Sequence, residues 1–184
     1  MKDKNALVTG ATSGIGEKTA ELLASKGVTV VAVGRNTSKG QALVERLAGS
    51  GHFFVPSDLS DKDQAQSLVD KVTEIAGTVD ILINSAGVAL HGTVPETDDQ
   101  IWENTMAVNL NAVFYLSRAL IPKMIINGGG VIVNVASTWG LSGAEKSAAY
   151  CASKGALIQL TRSMAIDHAK DNVRINAVCP GAVD

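Results

Sequence analysis

Cysteine is scarce in this 184-residue chain: there are two, Cys151 and Cys179, beside three histidines. Two thiols make neither a disulfide framework nor a metal-ligand cluster, so they read as reduced, mostly buried side chains. His52, His91 and His168 stand apart from one another, which leaves them packing or surface roles and leaves no metal site to expect. An excess of either charge is missing too. Sixteen basic and 18 acidic residues leave a net charge of −2, which excludes a nucleic-acid footprint and an acidic tail. No apolar run approaches the roughly 18 residues of a membrane span. The opening Met1-Lys2-Asp3-Lys4 leads into a short strand-like run rather than a signal peptide, so a cytoplasmic protein without nucleic-acid or membrane partners is expected.

A hydrophobic content of 46% against 18% charged residues describes a globular chain long enough for one domain, expected over residues 1–184, and too short for a second. Short apolar runs alternate with helix-like stretches. Ala6-Leu7-Val8 is followed by a helix over about 15–26, closed by Gly27. Val28 to Val33 is β-branched and continuously apolar, as a parallel strand covered on both faces should be. A helix over 38–48, a strand over 52–55, a helix over 61–76 and a strand over 79–83 continue the pattern. Then come a long helix over 98–126, a strand over 131–136, a helix over 148–170 and a strand over 173–178, with Gly128-Gly129-Gly130 as a turn. Six strands strictly alternating with helices predict an α/β fold, a doubly wound parallel sheet with right-handed crossovers. In such sheets ligands bind beyond the carboxyl ends of the strands, where strand order reverses.

Directly after the first strand stands Thr9-Gly10-Ala11-Thr12-Ser13-Gly14-Ile15-Gly16. Glycines there permit a tight turn and a close approach of pyrophosphate to the main chain, while the helix N-terminus supplies free amides. Between a first strand and a first helix this pattern points to dinucleotide binding. The spacing Thr-Gly-x-x-x-Gly-x-Gly resembles that of the short-chain dehydrogenase/reductase family, which implies a Rossmann fold and a nicotinamide cofactor. The resemblance extends to Asp58-Leu59, which in the family contacts the adenine ring, and to Asn84-Ser85-Ala86-Gly87, similar to its Asn-Asn-Ala-Gly with Ser85 in place of asparagine. A small polar side chain at 85 is expected to hydrogen-bond locally. Asp58 and Ser60 also precede a helix, where either is a candidate cap. After the second strand, Gly34 occupies the place of the acidic residue that selects NAD, and Arg35 follows with a planar cation suited to a 2′-phosphate. NADP is therefore expected, with NAD as the alternative; Lys39 is a possible helper, and a solvated loop arginine is the competing reading of Arg35.

Tyr150-Cys151-Ala152-Ser153-Lys154 sets a phenol and an ammonium four residues apart on one helix face. A free phenol, titrating near about pH 10, is a poor base at neutrality, and an adjacent cation favours its ionised form. On its own the pair reads as a surface pair. Ser137 follows the fifth strand at the same sheet edge, where its hydroxyl can hold a substrate carbonyl. Asn109, with Asn111, interrupts the long helix with a poor helix former. Together Asn109, Ser137, Tyr150 and Lys154 resemble the family's catalytic tetrad, in which the asparagine kinks its helix and positions a water in a proton relay. Tyr150 and Lys154 are expected to contact cofactor as well, along with Gly10, Thr12, Ser13, Gly14, Ile15, Gly16, Arg35, Asp58, Leu59, Asn84, Ala86, Gly87, Pro180 and Gly181.

The expected activity is hydride transfer between NADP(H) and a secondary alcohol or ketone, with Tyr150 as general acid/base. The alternative is an NADP-binding regulatory or assembly protein without turnover. Trp139, Leu141 and Ala144 are candidate pocket walls, Trp139 being equally a candidate core residue. The resemblance implies a dimer or tetramer, and a helical substrate lid and seventh strand following Pro180-Gly181, so the chain is expected to be incomplete at its C-terminus.

Overall fold

A computed structural model describes residues 1–182. Strands β1 (Asn5–Thr9), β2 (Thr29–Gly34), β3 (Phe53–Pro56), β4 (Ile81–Asn84), β5 (Gly130–Val135) and β6 (Val173–Val178) form one sheet in the order β3-β2-β1-β4-β5-β6. Every pairing is parallel. Strand order reverses between β1 and β4, so the cleft of this doubly wound sheet opens above their carboxyl ends. Seven helices connect the strands: α1 (Gly14–Ser25), α2 (Thr37–Arg46), α3 (Lys62–Ala76), α4 (Asp99–Met106), α5 (Ala112–Ile126), α6 (Trp139–Ser142) and α7 (Ala148–His168).

Alternate strand residues feed two cores, because successive side chains point to opposite faces. Leu7, Val31, Val33, Leu82, Ile132 and Ile175 pack with Leu68 of α3, Leu116 and Leu120 of α5, and Met164 of α7. On the other face Ala6, Val8, Val30, Ala32, Ile81 and Ile83 meet Ala20 and Leu23 of α1 and Leu43 of α2. The second layer does not extend across the sheet. On that side Val131 and Val133 are half-buried and Arg174 and Asn176 exposed, which is why β6 alternates where β2 is buried continuously.

Several expectations need correction. The stretch 98–126 is not one helix: a π turn over Ala107–Asn111 separates α4 from α5. Asparagine's weak helix propensity and its competing side-chain hydrogen bonds make this the place where the i→i−4 ladder gives way. Neither Asp58 nor Ser60 caps α3; Asp61 does, its carboxylate accepting from the Asp63 amide at 2.9 Å. The four-residue helix α6 was not anticipated, and Gly130 starts β5 rather than closing a turn. Cys151 and Cys179 are half-buried rather than buried.

Candidate active site

The first turn of α1 is built differently from those of its neighbours. Asn36, Asp61 and Asp98 cap α2, α3 and α4 through their side chains, whereas Ser13 at the α1 N-cap makes no such bond. Its hydroxyl and the leading amides of the helix are left for a ligand, and a helix N-terminus favours an anion. Gly10, with φ +64°, brings β1 against the end of β4; a Cβ there would stand 2.7 Å from the Ala86 nitrogen and α-carbon. Thr9 fastens the same junction, its Oγ1 accepting from the Ser85 and Ala86 amides at 3.1 and 3.2 Å. The backbone cradle thus fits a pyrophosphate closely approached by main chain.

Two connected hollows continue from this turn. One, of about 370 Å³, is lined by Ser13, Gly14 and Ile15 on one wall and by Ser137, Tyr150, Lys154, Pro180 and Gly181 on the other, with Ser85 to Ala89 between them. The second, of about 150 Å³, is lined by Gly10, Thr12, Gly34, Arg35, Ser57, Asp58 and Leu59. Among the expected site residues, Gly16, Asn84 and Asn109 lie behind the surface rather than on it, buried against neighbouring backbone and strands. Lys39 is exposed on α2, outside both hollows. Asp58 faces the smaller hollow but is occupied: the Ser60 amide and hydroxyl bond its carboxylate at 3.0 and 2.9 Å. These bonds, and to a lesser degree the Arg35 charge, hold its titration below the ordinary carboxylate range. Ser85 places its amide on Thr9, and its hydroxyl makes no bond among the described residues, contrary to expectation.

At the other end the side chains converge from four elements. Lys154 is 4% exposed, its Nζ donating to the Val135 carbonyl at 2.7 Å and lying 5.8 Å from the centre of the Tyr150 ring. Burial pulls its titration down from 10.5 to about 8, since desolvation disfavours the ammonium. Ser137 accepts from the Trp139 amide at 3.2 Å, which leaves its own proton free to donate. Asn109, fully buried in the π turn, accepts from the Val88 amide at 2.8 Å and donates to the Val88 carbonyl at 2.9 Å and to Ser153 Oγ at 3.0 Å. Ser153 in turn donates to the Tyr150 carbonyl at 2.7 Å. Trp139 is no core residue: 39% exposed, it packs edge-on against Tyr150 with ring centres 6.0 Å apart.

Reading the sequence missed the groups that fix these side chains. Ser153 was visible only as a spacer, and Gly140 not at all. A Cβ on Gly140 would stand 2.7 Å from the Lys154 carbonyl carbon, so only glycine lets α6 rest on α7 and hold Ser137 and Tyr150 at one edge. No sequence pattern signals this, because the close approach is between segments distant in the chain.

This arrangement has known counterparts. The family model described as short chain dehydrogenase matches residues 4–184. An oxidoreductase of Thermotoga maritima is 42% identical over 183 residues, covering 98% of this chain and 72% of the relative. A 3beta-hydroxysteroid dehydrogenase of Mediterraneibacter gnavus is 42% identical over 185 residues, covering 99% and 67%. An oxidoreductase of Staphylococcus saprophyticus is 38% identical over 187 residues, covering 100% and 80%. The chain therefore belongs to the short-chain dehydrogenase family, as an NAD(P)-dependent oxidoreductase acting on CH–OH and C=O groups.

Proposed function

We propose that the protein interconverts a secondary alcohol and a ketone with NADP(H), Tyr150 serving as general acid/base. The observation that carries this reading is the Tyr150–Lys154 pair on the wall of the larger hollow, facing the open α1 N-terminus. Gly10, Thr12, Ser13, Gly14, Ile15, Ala86 and Gly87 would hold the cofactor's pyrophosphate and nicotinamide half with Pro180 and Gly181, and Arg35, Asp58 and Leu59 its adenosine half. Gly16 and Asn84 would support that cradle from behind. When bound, the nicotinamide supplies or accepts the hydride.

In reduction, Ser137 donates its free proton in a hydrogen bond to the substrate carbonyl and holds it beside Tyr150. Tyr150 delivers its phenolic proton to the oxygen as negative charge develops there. Lys154, with one N–H committed to Val135, keeps two more to offer and places a fixed positive charge beside the ring. Asn109 holds the Val88 segment that borders the pocket.

NADP over NAD is supported by Arg35 and by the missing acid at 34, where a Cβ would stand 2.8 Å from the Thr12 methyl. An apolar ring or chain as substrate is supported by exposed Trp139 and by Leu141, 62% exposed beside it; the hydroxysteroid activity in the name of one relative agrees with it. A homo-oligomer is supported by Trp102 and Phe114, each 43% exposed on α4 and α5, and a cytoplasmic site by two unpaired cysteines. The test is NADPH-dependent reduction of a panel of cyclic ketones. Tyr150→Phe should bind NADPH as the parent does and lose reduction by about three orders of magnitude; unchanged turnover would contradict the mechanism.

A further inference from the structure

Behind the catalytic helix runs a buried polar chain that the mechanism above does not use. Asn84 at the end of β4 donates through Nδ2 to Asn134 Oδ1 on β5 at 2.8 Å, and Asn134 Nδ2 donates to Thr161 Oγ1 on α7 at 2.8 Å. Thr161 passes its own proton to the Leu157 carbonyl at 2.7 Å. The three residues are 2%, 0% and 4% exposed. All three donors point one way, an arrangement in which each bond polarises the next.

Burying amides and a hydroxyl gains little stability, because well-packed apolar groups of the same shape do as well. What the chain adds is direction. Apolar contacts of Leu157 and Ile158 on α7 with Ala136 and Ala177 at the sheet tolerate small slides and rotations, whereas a hydrogen bond does not. Thr161 lies seven residues after Lys154, two turns along the same face. Adjacent β5 residues receive both: Asn134 holds Thr161, and the Val135 carbonyl holds Lys154 Nζ. Two polar anchors about 10 Å apart along one helix fix both its height and its rotation over the sheet. Asn84, which begins the chain, pairs with Asn134 in register and is followed directly by Ser85, Ala86 and Gly87 of the cleft floor. One polar line therefore ties the floor beneath the cofactor to the helix that carries Tyr150.

We propose that Thr161 and Asn134 are positioning residues for Tyr150 and Lys154, setting the height and rotation of α7 relative to the cleft floor. The proposal rests on the acid/base role given to Tyr150. Thr161→Val keeps the shape and removes the hydroxyl; Thr161→Ser keeps the hydroxyl. In the full chain, the valine variant should lower kcat about tenfold with NADPH Kd and ketone KM within about twofold of the parent, the signature of a misplaced reacting group. Amide exchange at residues 150–154 should quicken in the ligand-free valine variant and not in the serine variant, which should also restore kcat. An unaltered kcat in the valine variant would overturn the proposal, as would a fall in kcat matched by an equal loss of NADPH affinity, or a serine variant as slow as the valine one. A Tyr150→Phe control run alongside separates the two layers: retained turnover there overturns the acid/base reading itself, whatever Thr161 does.

Discussion

The two ends of the cleft are built from different materials. The end proposed to bind the cofactor is largely backbone, a glycine turn and an uncapped helix start, with exposed Arg35 and Asp58, held by its own loop, beyond it. At the end that carries Tyr150, side chains dominate, several of them buried and hydrogen-bonded to other segments, from Asn109 on Val88 and Ser153 to Lys154 on Val135. A backbone cradle is suited to binding, since its amides need no ordering when a phosphate arrives. Chemistry needs reacting groups held to a fraction of an ångström, which a side-chain network provides. Changes at one end should therefore alter affinity, and changes at the other turnover.

The largest effects should come from Lys154. Lys154→Met removes the charge beside Tyr150 and should lower kcat by about three orders of magnitude. The folded protein should nevertheless gain stability. A shift from 10.5 to about 8 corresponds to a burial cost of about 3 kcal/mol at neutral pH. Relief of that cost, offset in part by the lost Val135 hydrogen bond, should appear as a gain in stability in denaturant unfolding. The sign of the pH dependence follows. Below pH 8 both folded and unfolded chains keep the proton; between about 8 and 10.5 only the unfolded chain does, so parent stability should rise with pH across that window. The methionine variant should lack that rise, and parent ketone reduction should fall above about pH 8 as the ammonium is lost.

Next in size is Gly10→Ala. A Cβ at φ +64° and 2.7 Å from Ala86 must push β1 and β4 apart beneath the pyrophosphate. Titration by nucleotide fluorescence should show NADPH affinity down about a hundredfold, with kcat at saturation much less affected. Smallest is Arg35→Ser, which should weaken NADPH about tenfold and leave NADH nearly unchanged, as expected for an exposed cation meeting a 2′-phosphate.

The same contrast separates what was legible in the sequence from what was not. The alternation of strands with helices and the glycine turn could be read because β-branched runs and Thr9 to Gly16 are local patterns. Asn109, Ser137, Tyr150 and Lys154 were singled out as candidates by family resemblance, and the structure brings Ser137, Tyr150 and Lys154 to one wall. The supports escaped: Ser153, Gly140 and the Asn84–Asn134–Thr161 chain owe their roles to contacts between segments 14 to 50 residues apart, which no window along the chain can show. The π turn also escaped, because Asn109 and Asn111 announce a weak helix without saying how it relaxes. Ser60 and Asp58 misled for a related reason: several residues before α3 are chemically able to cap it, and only the path of the backbone selects Asp61.

The division of labour is tested most directly by measuring NADPH Kd and ketone kcat together on Tyr150→Phe and Arg35→Ser. The expected result is orthogonal: the phenylalanine variant keeps Kd and loses turnover, while the serine variant keeps turnover at saturation and loses affinity. If both quantities moved together in both variants, binding and chemistry would share one set of groups, and the two-ended reading of this cleft would be wrong.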